Sequence, residues 1–325
     1  MKLFDQLNAK VKNQGKKIVF PEGLDLRILT AAVKLTQDHC IQPILLGNPK
    51  RIAKLAGRHR LNLSRVKIIN PETYPKAQYQ KMLTALVDRR RGKTTVAQAR
   101  QWLTDPNYFG TMLVYMGLAD GMVSGAVHPT ADTVRPALQI IKTKPGVKRV
   151  SGAFLMMKGR QRYVFADCAI NLTLDADAMS EVAVESAKTA RWFGIDPRVA
   201  MLSFSTKGSA KGPMVTKVQQ ATRLVRKRAP QLPVDGELQL DAALVPQVAK
   251  LKAPGSEVAG HANVLIFPEL QSGNLGYKLV QRLGDFEALG PILQGLKRPV
   301  SDLSRGCNAD DVYKVAIINA IQAMN

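Results

Sequence analysis

The chain has 325 residues, 46% of them hydrophobic, enough for two domains with full cores and too apolar for a disordered chain. A net charge of +22 raises the prospect of a polyanionic partner, yet the cations are spread along the chain and aromatics are only 6%, which argues against a nucleic-acid binder. No apolar run reaches membrane-span length, residues 1–10 lack the apolar core of a signal peptide, and Cys40, Cys168 and Cys307 have neither metal nor disulfide-framework spacing; a cytoplasmic protein with reduced thiols, no membrane partner and no metal is expected.

The first third alternates short apolar runs with amphipathic stretches, the rhythm of a mostly parallel sheet. Lys17 to Phe20 reads as a strand, Pro21 to Arg27 as the loop at its carboxyl end, and Leu29 to Leu35 as helix. Strands follow at Gln42 to Leu46 and Val66 to Ile69, with a short helix from Arg51 to Ala56 between them. A helix from Lys81 runs into Asp88-Arg89-Arg90-Arg91-Gly92, where basic residues suit a helix C-terminus. Leu118 to Ala126 is a strand entering a turn, and Thr130 or Asp132 caps the helix that carries Arg135. His128 reads as a turn residue, since no carboxylate in the local sequence orients it.

After Lys144-Pro145-Gly146 a second α/β unit is expected. Tyr163 to Asn171 forms a buried strand with a polar exit, Asp175 or Asp177 caps a helix through Arg191, and Val199 to Phe204 is the next strand. Its end, Ser205-Thr206-Lys207-Gly208-Ser209-Ala210, is a hydroxyl-rich turn whose backbone N–H groups can face an anion. Helix Val215 to Arg228 and strand Asn263 to Pro268 follow; the acids of Val234 to Ala243 have no metal-ligand spacing. At the C-terminus, Gly290 to Gly295 and Ser301 to Asp311 read as a chemically dense turn before a helix that begins at Asn308. Ser304 and Arg305 offer a hydroxyl and a forked cation beside the positive helix end, while Asn308 and Asp311 also have the spacing of a capping box.

Gly290-Pro-Ile-Leu-Gln-Gly295 followed by Asp302-Leu-Ser-Arg-Gly-Cys-Asn308 resembles the C-terminal signature of the phosphate acetyltransferase family, whose members exchange acetyl groups between acetyl phosphate and coenzyme A. Thr130-Ala-Asp-Thr-Val-Arg135-Pro-Ala-Leu138 is similar to a second family segment, and the resemblance covers nearly the whole chain. It implies two α/β domains with mostly parallel sheets and an interdomain active-site cleft: residues 1–145 plus 291–325 form the first domain and 146–290 the second. It further implies Asp311 as the base for the thiol, Arg305 and Ser304 as catalytic partners, and coenzyme A contacts from Arg135 and Arg89, with Arg90 close behind. Thr130, Ser205, Thr206, Ser209 and Asn274 become substrate-binding candidates, the last from a stretch, Gln271 to Lys278, that resembles the family's final cleft loop. Arg27 either faces the cleft or is a solvated first-turn cation.

One departure is Pro129, where family members commonly carry Ser or Thr, so a hydroxyl is missing from the phosphate loop. The resemblance also implies coenzyme A as a substrate rather than a bound cofactor, direct transfer without a covalent cysteine, and a homodimer. Phosphate butyryltransferase, or a related acyl-specific enzyme, is the alternative. No Gly-x-Gly-x-x-Gly occurs, and Gly255/Gly260 and Gly290/Gly295 have only the outer P-loop spacing, so nucleotide chemistry has no support.

Overall fold

The computed structural model describes residues 3–325, which divide into two compact units: residues up to Lys144 together with Leu296–Asn325, and Pro145–Gly295. The strands are β1 (Lys17–Phe20), β2 (Gln42–Leu46), β3 (Lys67–Ile69), β4 (Gly121–Ser124), β5 (Ser151–Lys158), β6 (Gln161–Ala166), β7 (Val199–Leu202), β8 (Val234–Leu238), β9 (Val264–Ile266), β10 (Glu287–Gln294) and β11 (Val300–Asp302). Both units are α/β, and parallel pairing predominates.

The first unit has the strand order β11-β4-β1-β2-β3, and every neighbouring pair is parallel. Ile18, Val19 and Phe20 are fully buried, as expected of a continuous apolar run in a sheet covered on both faces. The C-terminal helix Ala309–Gln322 packs against the helices Leu26–Gln37 and Leu3–Val11. Buried Asn319 donates its Nδ2 to Met122 O at 3.0 Å and Ser301 Oγ at 2.9 Å, fixing that helix to β4 and β11. Gly121 permits the approach, because a Cβ there would lie 1.9 Å from Asn319 Oδ1.

The second unit has the order β10-β5-β6-β9-β7-β8; β10, β5 and β6 pair antiparallel, and the remaining pairs are parallel. Helices Ala176–Trp192 and Pro213–Arg228 pack on each other and on this sheet.

Several local readings change. Gly290 to Gln294 belongs to strand β10, paired with β5 through Ile292↔Ala153, Leu293↔Gly152 and Gln294↔Ser151, so residues 291–295 join the second unit. Gln271 to Lys278 lies inside the helix Leu270–Leu283, which Glu269 caps by accepting the Gln271 and Ser272 N–H groups. Neither Thr130 nor Asp132 caps the helix Thr130–Pro136; Pro129 holds the cap position with no side-chain bond. Asp175, rather than Asp177, caps Ala176–Trp192. Three further helices, Leu3–Val11, Val96–Trp102 and Pro106–Tyr115, complete the first unit; Thr95 caps the second of them, and Asp105 with Pro106 starts the third.

Candidate functional site

Parallel sheets gather loops at the carboxyl ends of their strands, and in the first unit these include Pro21 to Asp25 after β1, leading into the helix that bears Arg27, Gly125 to Pro129 after β4 and Leu303 to Asn308 after β11. Arg27 binds them together. Its Nη1 donates to Arg305 O at 2.7 Å and Cys307 O at 3.1 Å, its Nη2 to Ala126 O at 2.8 Å and Asp25 Oδ2 at 2.8 Å, and its Nε to Asp25 Oδ1 at 2.9 Å. All five guanidinium hydrogens are thereby used within the protein, so Arg27 is a tether and neither a free cleft cation nor a solvated one. Burial pushes the Asp25 carboxyl up, but the hydrogen bonds and charge of Arg27 outweigh it and hold it below the usual range.

Glu22 does the equivalent work for the loop after β4. Its carboxylate is 5% exposed and accepts the backbone N–H groups of Gly125, Ala126, Val127 and His128, while His128 Nδ1 lies 2.7 Å from Oε1. The backbone N–H groups of this loop are therefore taken up by a glutamate from another loop. His128 does have an orienting carboxylate, but it comes from far away in sequence. Gly125, at φ +110°, brings the loop against Asp302, whose Oδ1 would be 2.4 Å from any Cβ there.

Asp302 ends β11, is buried, and accepts the Thr130 hydroxyl at 2.6 Å. Burial is the main cause that raises its carboxyl to about 6, with the nearby Glu22 charge adding to the effect. The Thr130 and Thr133 hydroxyls, both donors toward this carboxyl, oppose that rise without cancelling it.

Ser304, Arg305 and Gly306 are exposed at the turn before the C-terminal helix. Asn308 and Asp311 form a complete capping box: Asn308 Oδ1 accepts the Asp310 and Asp311 N–H groups at 2.8 and 2.9 Å, and Asp311 Oδ2 accepts the Asn308 N–H at 2.9 Å. Asp311 Oδ1 takes no part in the box. Cys307 is buried, which pushes its thiol up to about 11 and keeps it a poor nucleophile at neutral pH. Cys40, Cys168 and Cys307 are all free thiols.

Of the other cations, Arg135 is exposed, its only described ion pair a 3.9 Å contact with Asp132. Arg89 is half-buried and donates to Ile140 O at 2.6 Å and Ile141 O at 3.0 Å, satisfying the carbonyls at the end of the helical turn Ala137–Ile141, while Arg90 reaches Gln139 O. Arg89 Nη1 is outside these bonds.

In the second unit the turn Ser205 to Ala210 after β7 is held from below by β8. Glu237, 2% exposed, accepts the Ser205 hydroxyl at 3.1 Å and the Gly208 N–H at 2.7 Å; burial raises its carboxyl, but these hydrogen bonds lower it overall. Gln239 accepts the Thr206 hydroxyl, whose oxygen in turn accepts the Gln239 N–H. Ser205 and Thr206 are buried, whereas Ser209 is exposed and accepts the Thr206 N–H at 3.0 Å. Asn274 donates to Cys168 O at 3.2 Å. The loop after β6 repeats the device, with buried Asp167 accepting the N–H groups of Ala169, Ile170 and Asn171. Sequence reasoning missed Glu22, Glu237, Asp167 and Asp302 as loop-holding groups; an acid at or just beyond the end of an apolar strand was the available signal.

Among the described residues no three His, Cys, Asp or Glu side chains are grouped as a metal ion requires, and no helix is long and apolar enough to cross a membrane.

The phosphate acetyl/butaryl transferase family model matches residues 2–320. The chain is 58% identical over 322 residues to the phosphate acetyltransferase of Bacillus subtilis (strain 168), covering 99% of each. Among solved structures it is similar to a phosphotransacetylase from Streptococcus pyogenes, with 55% identity, a TM-score of 0.96 and coverage of 99% of this chain and 98% of that one. It is also similar to EutD phosphotransacetylase from Staphylococcus aureus, with 54% identity, a TM-score of 0.92 and the same coverages.

Proposed function

The chain belongs to the phosphate acetyl/butaryl transferase family, and from that membership we infer that it is an acyltransferase exchanging acetyl groups reversibly between acetyl phosphate and coenzyme A. The observation that carries this reading is the 58% identity with a phosphate acetyltransferase over 99% of both chains. It favours the acetyl over the butyryl reaction.

The thiol of coenzyme A has an ordinary pKa of about 8.5 and must lose its proton to attack the acyl carbon. Asp311 is the proposed base, through Oδ1, the oxygen outside its capping bond. Arg305 offsets charge that develops on the acyl phosphate, and Ser304 holds an acyl or phosphate oxygen; both are exposed on the turn that Arg27 tethers. Arg27 is accordingly a positioning residue. Coenzyme A is a substrate here, and no tightly bound cofactor is needed.

Exposed Arg135 is proposed to meet a phosphate of coenzyme A, with Arg89 assisting through Nη1. Thr130, whose hydroxyl proton goes to Asp302, offers a substrate only its oxygen lone pairs. For the second unit we propose that Ser209 contacts acetyl phosphate directly, that Ser205 and Thr206 shape the turn beneath it, and that Asn274 contributes from its helix. A cytoplasmic location fits the intracellular substrates. A homodimer is supported by Leu275, Leu279 and Leu283, which line one face of the helix Leu270–Leu283 and are 56%, 56% and 82% exposed.

The test is to incubate the purified chain with acetyl phosphate and coenzyme A and follow thioester absorbance, with butyryl phosphate in parallel. Thioester from acetyl phosphate is expected. A folded chain that makes none refutes the reaction, and a preference for butyryl phosphate refutes the acyl assignment.

A further inference from the structure

The Glu22–His128 pair has a chemistry that the proposed mechanism leaves unused. Four backbone N–H groups already converge on the two oxygens of Glu22, so the carboxylate acts as acceptor and His128 Nδ1 is the donor in their 2.7 Å bond. That fixes the tautomer, leaving Nε2 as the nitrogen able to gain or lose a proton. Nε2 makes no hydrogen bond among the described residues, and the side chain is 27% exposed. The ring is therefore held on one side and open on the other.

Its location is equally defined. The loop bearing His128 is bound through Arg27 to the turn bearing Ser304 and Arg305: Ala126 O, Arg305 O and Cys307 O all accept from one guanidinium. Pro129 has no N–H and the four amides before it are occupied by Glu22, so the imidazole is the first hydrogen-bond donor that this loop can offer a ligand. A carboxylate-oriented imidazole beside a cationic turn suits an oxygen that changes its proton count during reaction.

We propose that His128 is a further catalytic residue, its Nε2 exchanging a proton with the phosphate oxygen that is bonded to the acyl carbon; this rests on the acetyl-transfer reading. In the thioester-forming direction the thiol proton passes to Asp311 and the sulfur–carbon bond forms. The bond from the acyl carbon to the phosphate oxygen breaks, and the Nε2 proton of the protonated ring passes to the departing phosphate. Exchange with solvent then moves a proton from Asp311 back to His128, so the net result is one thiol proton delivered to phosphate. In reverse, the neutral ring takes the proton from the attacking phosphate.

Two replacements separate orientation from proton transfer. His128→Asn keeps an N–H near the Nδ1 position for Glu22 and has nothing at Nε2; His128→Gln places a neutral amide near Nε2. Wild type and both variants are assayed together for thioester formation, with Tm recorded for each. A loss in kcat of about 10²–10⁴-fold in both variants is expected, with KM for coenzyme A and Tm unchanged. Wild-type kcat in His128→Asn overturns the proposal, as does an effect confined to KM or a loss that only follows Tm. If wild type is itself inactive, the acetyl-transfer reading fails and this step falls with it; an active wild type beside an unimpaired variant refutes His128 alone.

Discussion

Asp311 accepts the Asn308 N–H with Oδ2 while Oδ1 stays out of the capping box, so capping and proton transfer can be separated by chemistry. Asp311→Asn retains a side-chain oxygen for the helix start but cannot take a thiol proton. The rate is expected to fall by about 10²–10⁴-fold, the range for a lost general base, with little change in Tm. Retention of the wild-type rate would leave Asp311 as a cap alone. Asp302 provides a pH test. Its carboxyl rises from 3.8 to about 6 on burial, so the fold favours the neutral form. That contribution is fully present below pH about 3.8, the unfolded value, and is lost as pH rises through about 6, an effect on the order of 3 kcal/mol by linkage. Asp302→Asn has no ionisation to lose. Its Tm should therefore gain on wild type as pH rises from 4 to 8. Parallel Tm-against-pH curves for the two proteins would contradict this.

At the scale of elements, three loops are each held by a buried acid from a neighbouring segment or their own strand end: Glu22 for Gly125 to His128, Glu237 for Ser205 to Gly208, and Asp167 for Ala169 to Asn171. Charge-assisted bonds to several N–H groups fix a loop more tightly than turn propensity alone. Arg27 joins two of the loop segments of the first unit through carbonyls instead. Arg27→Ala should strand those carbonyls and Asp25, lowering stability by about 1–3 kcal/mol and loosening residues 303–308. Arg27→Lys should restore little, because one ammonium cannot serve five fork-directed bonds. Hydrogen exchange at Gly306 and Cys307, read with Tm, checks this; unchanged protection in Arg27→Ala would show that the turn holds itself.

For the whole molecule, the charge of +22 far exceeds what a few substrate-facing cations require, and most of it is spread over exposed surface. The helix Leu270–Leu283 departs from that polar surface with its leucine stripe, a face suited to the proposed self-association. Leu279→Glu should shift the sedimenting species from dimer to monomer, and an unchanged mass would remove this face from the interface. The α/β class was legible because Ile18, Val19 and Phe20, or Val199 to Leu202, are apolar runs of strand length with turn signals beyond them. The helix start at Asn308 was legible because a capping box is a contact across three residues. Other elements were not: Gly290 to Gln294 is strand only because β5 lies beside it, and Asn274 is helical although its neighbours include two glycines. The partner of His128 was hidden for the same reason, since Glu22 stands 106 residues away and meets it only because β1 and β4 are parallel neighbours whose loops leave the sheet side by side. Local sequence determined the strand runs, the cap and the signature turn, whose physics acts over a few residues; tertiary structure alone decided which buried carboxylate holds each loop and which cation is spent as a tether, because those bonds depend on the order of strands in the sheet.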